Sequence, residues 1–216
     1  ETDVIVSTGA NITHDLELAI GYKYYPCDPN EVDDVEMKKK GYSRIYDVYS
    51  ETETLEAVEK DAQRILKDIP EGSYSTFELV NEVGKRLQAE NSIVKTAYEN
   101  DVKIIIPAFF DSIFGFQVWM RSQDHKIFID ERKDLDFIIN LHYDLKEKKK
   151  PSGVLILGGG VPKNYILQAV IVPEKPHKYL VQVTTDVPHY GGLSGASLDE
   201  AKSWGKVSKS SRSVSY

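Results

Sequence analysis

A single cysteine, Cys27, stands among the 216 residues, which excludes an intrachain disulfide and any cysteine-built zinc site and favours an intracellular, cytoplasmic protein. Cys27 lies in YYPCDPN, which reads as a loop, and the sequence pairs no histidine with it as a thiol nucleophile would need. No apolar run approaches the roughly 20 residues of a membrane span, so no membrane role is expected. Positive charge is also short: 27 Lys and Arg face 34 Asp and Glu, a net charge of -7. That balance disfavours nucleic-acid binding as the main role, whereas an acidic surface attracts cationic ligands such as amines. His14, His125, His142, His177 and His189 show no close ligand spacing, so no metal is expected. His142 falls inside a helical pattern and reads as structural.

What is present is the composition of an ordinary globular chain, 41% hydrophobic and 28% charged, long enough for one large domain over residues 1–216. Val4–Ser7, Val102–Ile106, Lys126–Ile129, Val154–Leu157 and Tyr179–Thr184 are short β-branched or aromatic runs and read as strands. Helical periodicity marks Thr13–Ile20, Leu55–Ile69, Phe77–Ala89, Ile93–Asn100, Arg132–Glu147 and Asn164–Ile171, with a capping box at Ser75-x-x-Glu78. Strands alternating with helices predict an α/β fold of the doubly wound, Rossmann-like class, a mainly parallel sheet with helices on both faces. Gly21–Ser50, polar and punctuated by Pro and Gly, reads as an excursion from that sheet with a solvated acidic surface. KEKKK at Lys146–Lys150 reads as a solvated helix end. The chain opens almost directly on a strand and closes on RSVSY, itself strand-like, so flanking sequence is expected to be missing at both ends.

In doubly wound folds ligands gather at the carboxyl ends of strands, and three junctions there carry suitable residues. GVLILGGGVPKN sets Gly158, Gly159 and Gly160 between a strand and a helix, either a phosphate-binding turn or a tight turn without ligand. VSTGANITHD is a similar junction, with Ser7 and Thr8 as donors and Gly9 for close approach. IPAFFDSIFGF places Asp111 where a carboxylate can take a ribose hydroxyl or an amine, or cap the next helix. Farther on, SLDEAKSWGK sets Lys206 behind Trp204 and Gly205, a setting that suggests a lysine held in a pocket. A lysine titrates near ~10.4, so covalent work needs surroundings that lower its pKa; an ordinary surface lysine is the competing reading.

LILGGGVPKN, GGLSGASLDEAKSWGK and STGANITHD together resemble deoxyhypusine synthase and its bacterial and archaeal relatives over nearly the whole chain. The resemblance implies an NAD-dependent aminobutyl transferase acting on the polyamine spermidine. In that family the lysine of SWGK captures the butyl fragment as an imine, 1,3-diaminopropane is released, and an acceptor amine, a lysine of the hypusine-containing translation factor, receives the fragment. It further implies a homotetramer with active sites between paired subunits. Carried over, Lys206 is the nucleophile, Trp204 the aromatic wall, Glu200 an amine ligand and Ser194 part of the same pocket, while Thr8, Gly9, Asp111, Gly158, Gly160 and Thr185 contact NAD. Three positions depart from the spermidine-binding pattern: Leu193 and Phe116 replace acids, and Asn164 replaces a histidine. Asp186 and Asp199 are possible substitutes. Two alternatives follow: a relative whose acceptor is a small amine, giving homospermidine or a similar polyamine, and a non-catalytic paralogous subunit.

Overall fold

The structure, a computed structural model, describes residues 2–215. Glu1, and Tyr216 at the end of the strand-like RSVSY, lie outside the described residues. In chain order the elements are β1 (Val4–Val6), α1 (Gly9–Ala19), β2 (Tyr25–Pro26), α2 (Asp34–Lys39), β3 (Tyr42–Ile45), β4 (Val48–Glu51), α3 (Thr52–Lys67), β5 (Gly72–Tyr74) and α4 (Thr76–Arg86). There follow α5 (Ile93–Glu99), β6 (Lys103–Ile105), α6 (Ile113–Arg121), β7 (Ile127–Ile129), α7 (Glu131–Glu147), β8 (Gly153–Leu157), α8 (Gly160–Gln168), β9 (His177–Val183), α9 (Glu200–Ser203) and β10 (Val207–Ser215). The fold is mixed α/β, with parallel sheets flanked by helices: β5 pairs with β7, and β10, β9 and β8 form a ladder, all parallel. β1 pairs with β6.

Two compact units divide the chain. The first takes in Gly9–Ile104 and Phe109–Ile129 with the start of β1; the second takes in Val6–Thr8, Ile105–Ala108 and the chain from Asp130 on. In the first, α3 presents Val58, Ala62, Ile65 and Leu66 inward, and they are buried with Leu79, Val83 and Val118. The three- and four-residue spacing of those positions is the helical stripe that a one-sided core requires. Ser75 and Glu78 make the expected reciprocal capping box at the start of α4, at 3.0 and 2.7 Å. Asp15, in the THD triplet, is buried and accepts from Ser92 Oγ and the amides of Ile93 and Val94, fastening the start of α5 onto α1. The excursion of residues 21–50 forms a small antiparallel sheet, β2-β4-β3, with α2 beside it. Tyr25 stacks on Tyr49, and Arg44 pairs with Asp34 at 2.6 Å.

In the second unit Ile156, Leu167, Leu180, Leu198, Ala201 and Val207 make one apolar cluster beneath α8 and α9. His142 is structural, as expected: it is buried, its Nδ1 lies 2.8 Å from the Ile138 carbonyl, and its ring meets His177 edge-on at 5.3 Å. His177 is fully buried between Ser152 Oγ and the Ile166 carbonyl. Burial lowers both histidines, His177 to about 4, so both rings are neutral at pH 7. The KEKKK run closes α7, and Lys146 donates to the Pro173 carbonyl at 2.7 Å.

Candidate functional site

The Gly158–Gly160 junction follows β8 at the carboxyl end of the β10-β9-β8 ladder. Gly158 and Gly160 take φ of 76° and 71°, and a Cβ on either would meet nothing within 4 Å. Left-handed backbone is the reason for glycine there, and the space beyond it is open. Helix α8 begins at Gly160, earlier than Asn164, and no side chain caps its first turn. Open backbone N–H groups at a helix start suit an anionic group such as the pyrophosphate of a dinucleotide, so this junction fits NAD chemically. Gly159 differs from its neighbours: a Cβ there would lie 2.5 Å from Ser194 Cα. The loop carrying Ser194 therefore sits flat on the turn. Thr185 is exposed and lies two residues beyond β9, at the same end as Gly158, whose amide donates to the Val183 carbonyl at 2.8 Å.

The junction at Gly9 is built for another reason. Gly9 is buried, and a Cβ on it would collide with the Ser112 side chain. Thr13 Oγ1 donates to the Gly9 carbonyl at 3.1 Å and accepts from the Phe114 amide at 3.2 Å, so α1 and α6 are locked together at this point. Asp111 is exposed in the loop before α6 but does not cap it; Ser112 does, accepting from the Gly115 amide at 2.9 Å. Thr8, between β1 and α1, is half-buried. On α6, Phe116 is 58% exposed and joins Phe110, Ile113, Trp119, Met120 and Glu59 around a cavity of about 580 Å3.

Around Lys206 the sequence has a local explanation. Helix α9 ends at Gly205, whose φ is 69°. The Lys206 amide donates to the Ala201 carbonyl and the Gly205 amide to the Lys202 carbonyl, both at 3.1 Å. These are the two bonds of a Schellman ending, which needs glycine at its left-handed position. That ending turns Lys206 back beside Trp204: its Nζ lies 5.7 Å from the indole centroid and 3.4 Å from Asn164 Oδ1. Trp204 is 65% exposed, so within this chain the lysine is half-buried instead of enclosed in a dry pocket. Glu200 is exposed at the start of α9, where its amide donates to Ser197 Oγ at 3.2 Å. Of the possible substitute acids, Asp199 is engaged by Lys202, and Asp186 is exposed.

These residues form two groups. Ser194 belongs with the glycine turn at the carboxyl end of the ladder. Lys206 precedes β10 at the amino end, where its carbonyl accepts from the His177 amide at 3.1 Å. Six steps of β9 separate those levels, roughly 20 Å. Helix α8 bridges them, because Asn164, the contact of Lys206, sits about 6 Å along the helix from Gly160.

Sequence reading overlooked Lys163, which is buried although it is a lysine. Its Nζ donates to Ala196 O at 2.6 Å, Gln182 Oε1 at 3.0 Å, Leu193 O at 3.2 Å and Ser194 O at 3.3 Å. Burial lowers its pKa, and the Glu200 carboxylate opposes that. Gln182, also buried, donates to Ser194 O at 2.7 Å and Gly158 O at 2.9 Å. The available signal was helical spacing, since Lys163 lies four residues before the buried Leu167.

The fold is α/β, with an open glycine turn at the carboxyl end of parallel strands, where ligands of such folds gather. A family model described as deoxyhypusine synthase matches residues 2–216, and the chain belongs to that family. It is 38% identical over 212 residues to a probable deoxyhypusine synthase 1 of Methanosarcina acetivorans, covering 98% of this chain and 65% of the relative. It is 39% identical over 212 residues to a probable deoxyhypusine synthase 1 of Archaeoglobus fulgidus, covering 97% and 67%. The chain thus spans about two thirds of the length of these relatives. The solved structure of a candidate deoxyhypusine synthase from Entamoeba histolytica shares the fold, with a TM-score of 0.61 at 18% identity over 99% of this chain and 59% of the other. No helix among the described residues is long and apolar enough to cross a membrane.

Proposed function

We propose that the protein is an NAD-dependent aminobutyl transferase that moves the four-carbon fragment of spermidine through an imine on Lys206 to an acceptor amine, the acceptor being a lysine of the hypusine-containing translation factor. The observation that carries this reading is Lys206 Nζ, held by a Schellman ending between the Trp204 ring and Asn164 Oδ1. The indole on one side and the amide oxygen on the other fix where that nitrogen sits, as a positioned amine nucleophile requires. Bound NAD would take up a hydride from the polyamine and later return it. The neutral Lys206 amine adds to the imine carbon of the oxidised substrate, and 1,3-diaminopropane departs with the nitrogen it brought. The acceptor amine then adds to the Lys206 imine and frees the lysine. Trp204 lies along the chain or cation of the substrate, and Glu200 and Ser194 bind its amine ends. Gly158, Gly160 and Thr185 would hold NAD, with Thr8, Gly9 and Asp111 assigned to it by the same family pattern.

We read both units as parts of one deoxyhypusine synthase domain, and the protein as a cytoplasmic homotetramer. Light scattering at micromolar concentration tests the assembly, and a strict monomer contradicts it. The small-amine acceptor is the second reading. It is favoured by Leu193 and Phe116, which are 49% and 58% exposed and supply no carboxylate to a terminal ammonium, and by Asn164 beside the nucleophile. Turnover with NAD and spermidine in the presence of the factor or of putrescine separates the readings; transfer to putrescine alone overturns the ranking. Borohydride during turnover is expected to add mass to the peptide containing Lys206. Lys206→Arg, whose guanidinium stays charged, is expected to lose turnover on the order of 10^3-fold or more, and undiminished transfer by that variant rules out the mechanism.

A further inference from the structure

The feature that the reaction above leaves unused is the buried Lys163. Its four acceptors are neutral oxygens, three of them backbone carbonyls from one short segment, Leu193, Ser194 and Ala196. An amine has two N–H groups and a lone pair that repels carbonyl oxygens, whereas an ammonium has three N–H groups and suits four such acceptors, one bond being shared. Burying a lysine is costly, so the arrangement persists only because the segment closes round the cation. The segment has little regular structure of its own: it is a single 3-10 turn, Leu193–Gly195, between exposed glycines and Ala196. Its Gly195 packs so tightly on the Val187 carbonyl that a Cβ would collide. Gln182 doubles the attachment by joining Ser194 O to Gly158 O. The next residue of α8, Asn164, meets Lys206. One turn of one helix therefore contacts both the loop on the glycine turn and the nucleophile.

We infer that Lys163 is a positioning residue, a charged pin that fixes the 193–196 loop flat on the Gly158–Gly160 turn and so shapes the wall on which the cofactor and the amine lie. The inference rests on the reading that this turn and Ser194 line the binding site, and its first test does not depend on that reading. In Lys163→Met, which keeps the length of the side chain and removes the charge, amide hydrogen exchange over residues 191–199 is expected to quicken at least about tenfold. The amides of β8 and β9 are expected to keep their protection. Lys163→Arg, which restores the charge, is expected to recover much of the loss.

Exchange that rises equally through β8 and β9 makes Lys163 a general support of the fold, and exchange that does not rise at all shows that the loop holds without it; either result overturns the inference. Should Lys163→Met fail to fold, Gln182→Met removes one acceptor and the bridge to Gly158, and a smaller loosening of the same segment is expected, its absence being equally decisive. Calorimetric titration with NAD then connects loop to site, with Lys163→Met expected to weaken binding about tenfold. If the unaltered protein does not bind NAD, the functional reading fails while the exchange result for Lys163 stands. If both proteins bind NAD equally well, Lys163 holds the loop without shaping the site.

Discussion

The junctions at Gly9 and at Gly158–Gly160 look alike in sequence, each a β-branched run ending in small residues before a helix, and they are built on different physics. Gly9 is glycine because α1 and α6 approach so closely that a Cβ would strike Ser112. Gly158 and Gly160 are glycine because their backbone is left-handed, and nothing lies where a side chain would point. The first junction is filled by the protein itself. The second is open, and only its middle glycine is covered, by the Ser194 loop. A glycine-rich turn is thus informative about ligands only once it is known what faces the missing Cβ.

The largest effect expected concerns the support beneath the open junction. Helix α8 starts at that junction and is tied at its other end by the His177 ring to the Ile166 carbonyl. The folded protein holds His177 neutral down to about pH 4, whereas an unfolded histidine gains a proton near 6.5. A lowered folded pKa means that the stabilisation is complete above about 6.5 and is lost as pH falls toward 4. At about 1.4 kcal/mol for each unit, the loss from this ring approaches ~3 kcal/mol, and the neutral His142 beside it adds to the loss in the same direction. Urea midpoints at pH 7, 5.5 and 4.5, with exchange read residue by residue, should show α8 and β9 loosening ahead of α1 and α6. Acid loosening that begins at the Gly9 junction would break the comparison.

Much of this contrast was hidden from the sequence for identifiable reasons. The strands were legible where they are apolar: β1, β6, β7, β8 and β9 all lie on runs rich in Val, Ile, Leu, Phe or Tyr. β5 is only Gly-Ser-Tyr, and its strand character comes from its pairing with β7, a tertiary cause. α6, IFGFQVWMR, has apolar residues on every side and so shows no periodic face; its limits are set by the Ser112 cap. The motifs bearing Lys206, Trp204 and the glycines could be read from the chain itself. What each residue touches could not: Ser112 against Gly9 is a contact across about a hundred residues, and a lysine in a helix gives no sign that four oxygens enclose it.

Gly9→Ala tests the filled junction and should act on stability. The added methyl has no room unless Ser112 moves, and overpacking of this kind costs about 1–3 kcal/mol. A lower urea midpoint with an unchanged slope is the expected result. Ser112→Gly in the same chain should recover part of the loss, because it removes the colliding side chain, although it also removes the cap of α6. A midpoint unmoved by Gly9→Ala would show that α1 can shift away from α6, and the contrast between the junctions would weaken.

The smallest effect on stability, and the sharpest test, belongs to Gly158→Ala. An alanine at φ 76° carries the left-handed penalty of about 1–2 kcal/mol. It meets no neighbour within 4 Å, so no packing term adds to that penalty and the midpoint should fall no further than the backbone cost. The same methyl points into the open space where, on the proposed function, the pyrophosphate of NAD approaches the backbone, and there it should act by obstruction. Calorimetry is expected to show NAD binding weakened at least about tenfold, or ~1.4 kcal/mol, while the exchange protection of α8 is retained. Binding that is unchanged, with stability reduced by only the backbone cost, would mean that the open space beside Gly158 is not where the dinucleotide lies; the two junctions would then differ in packing alone.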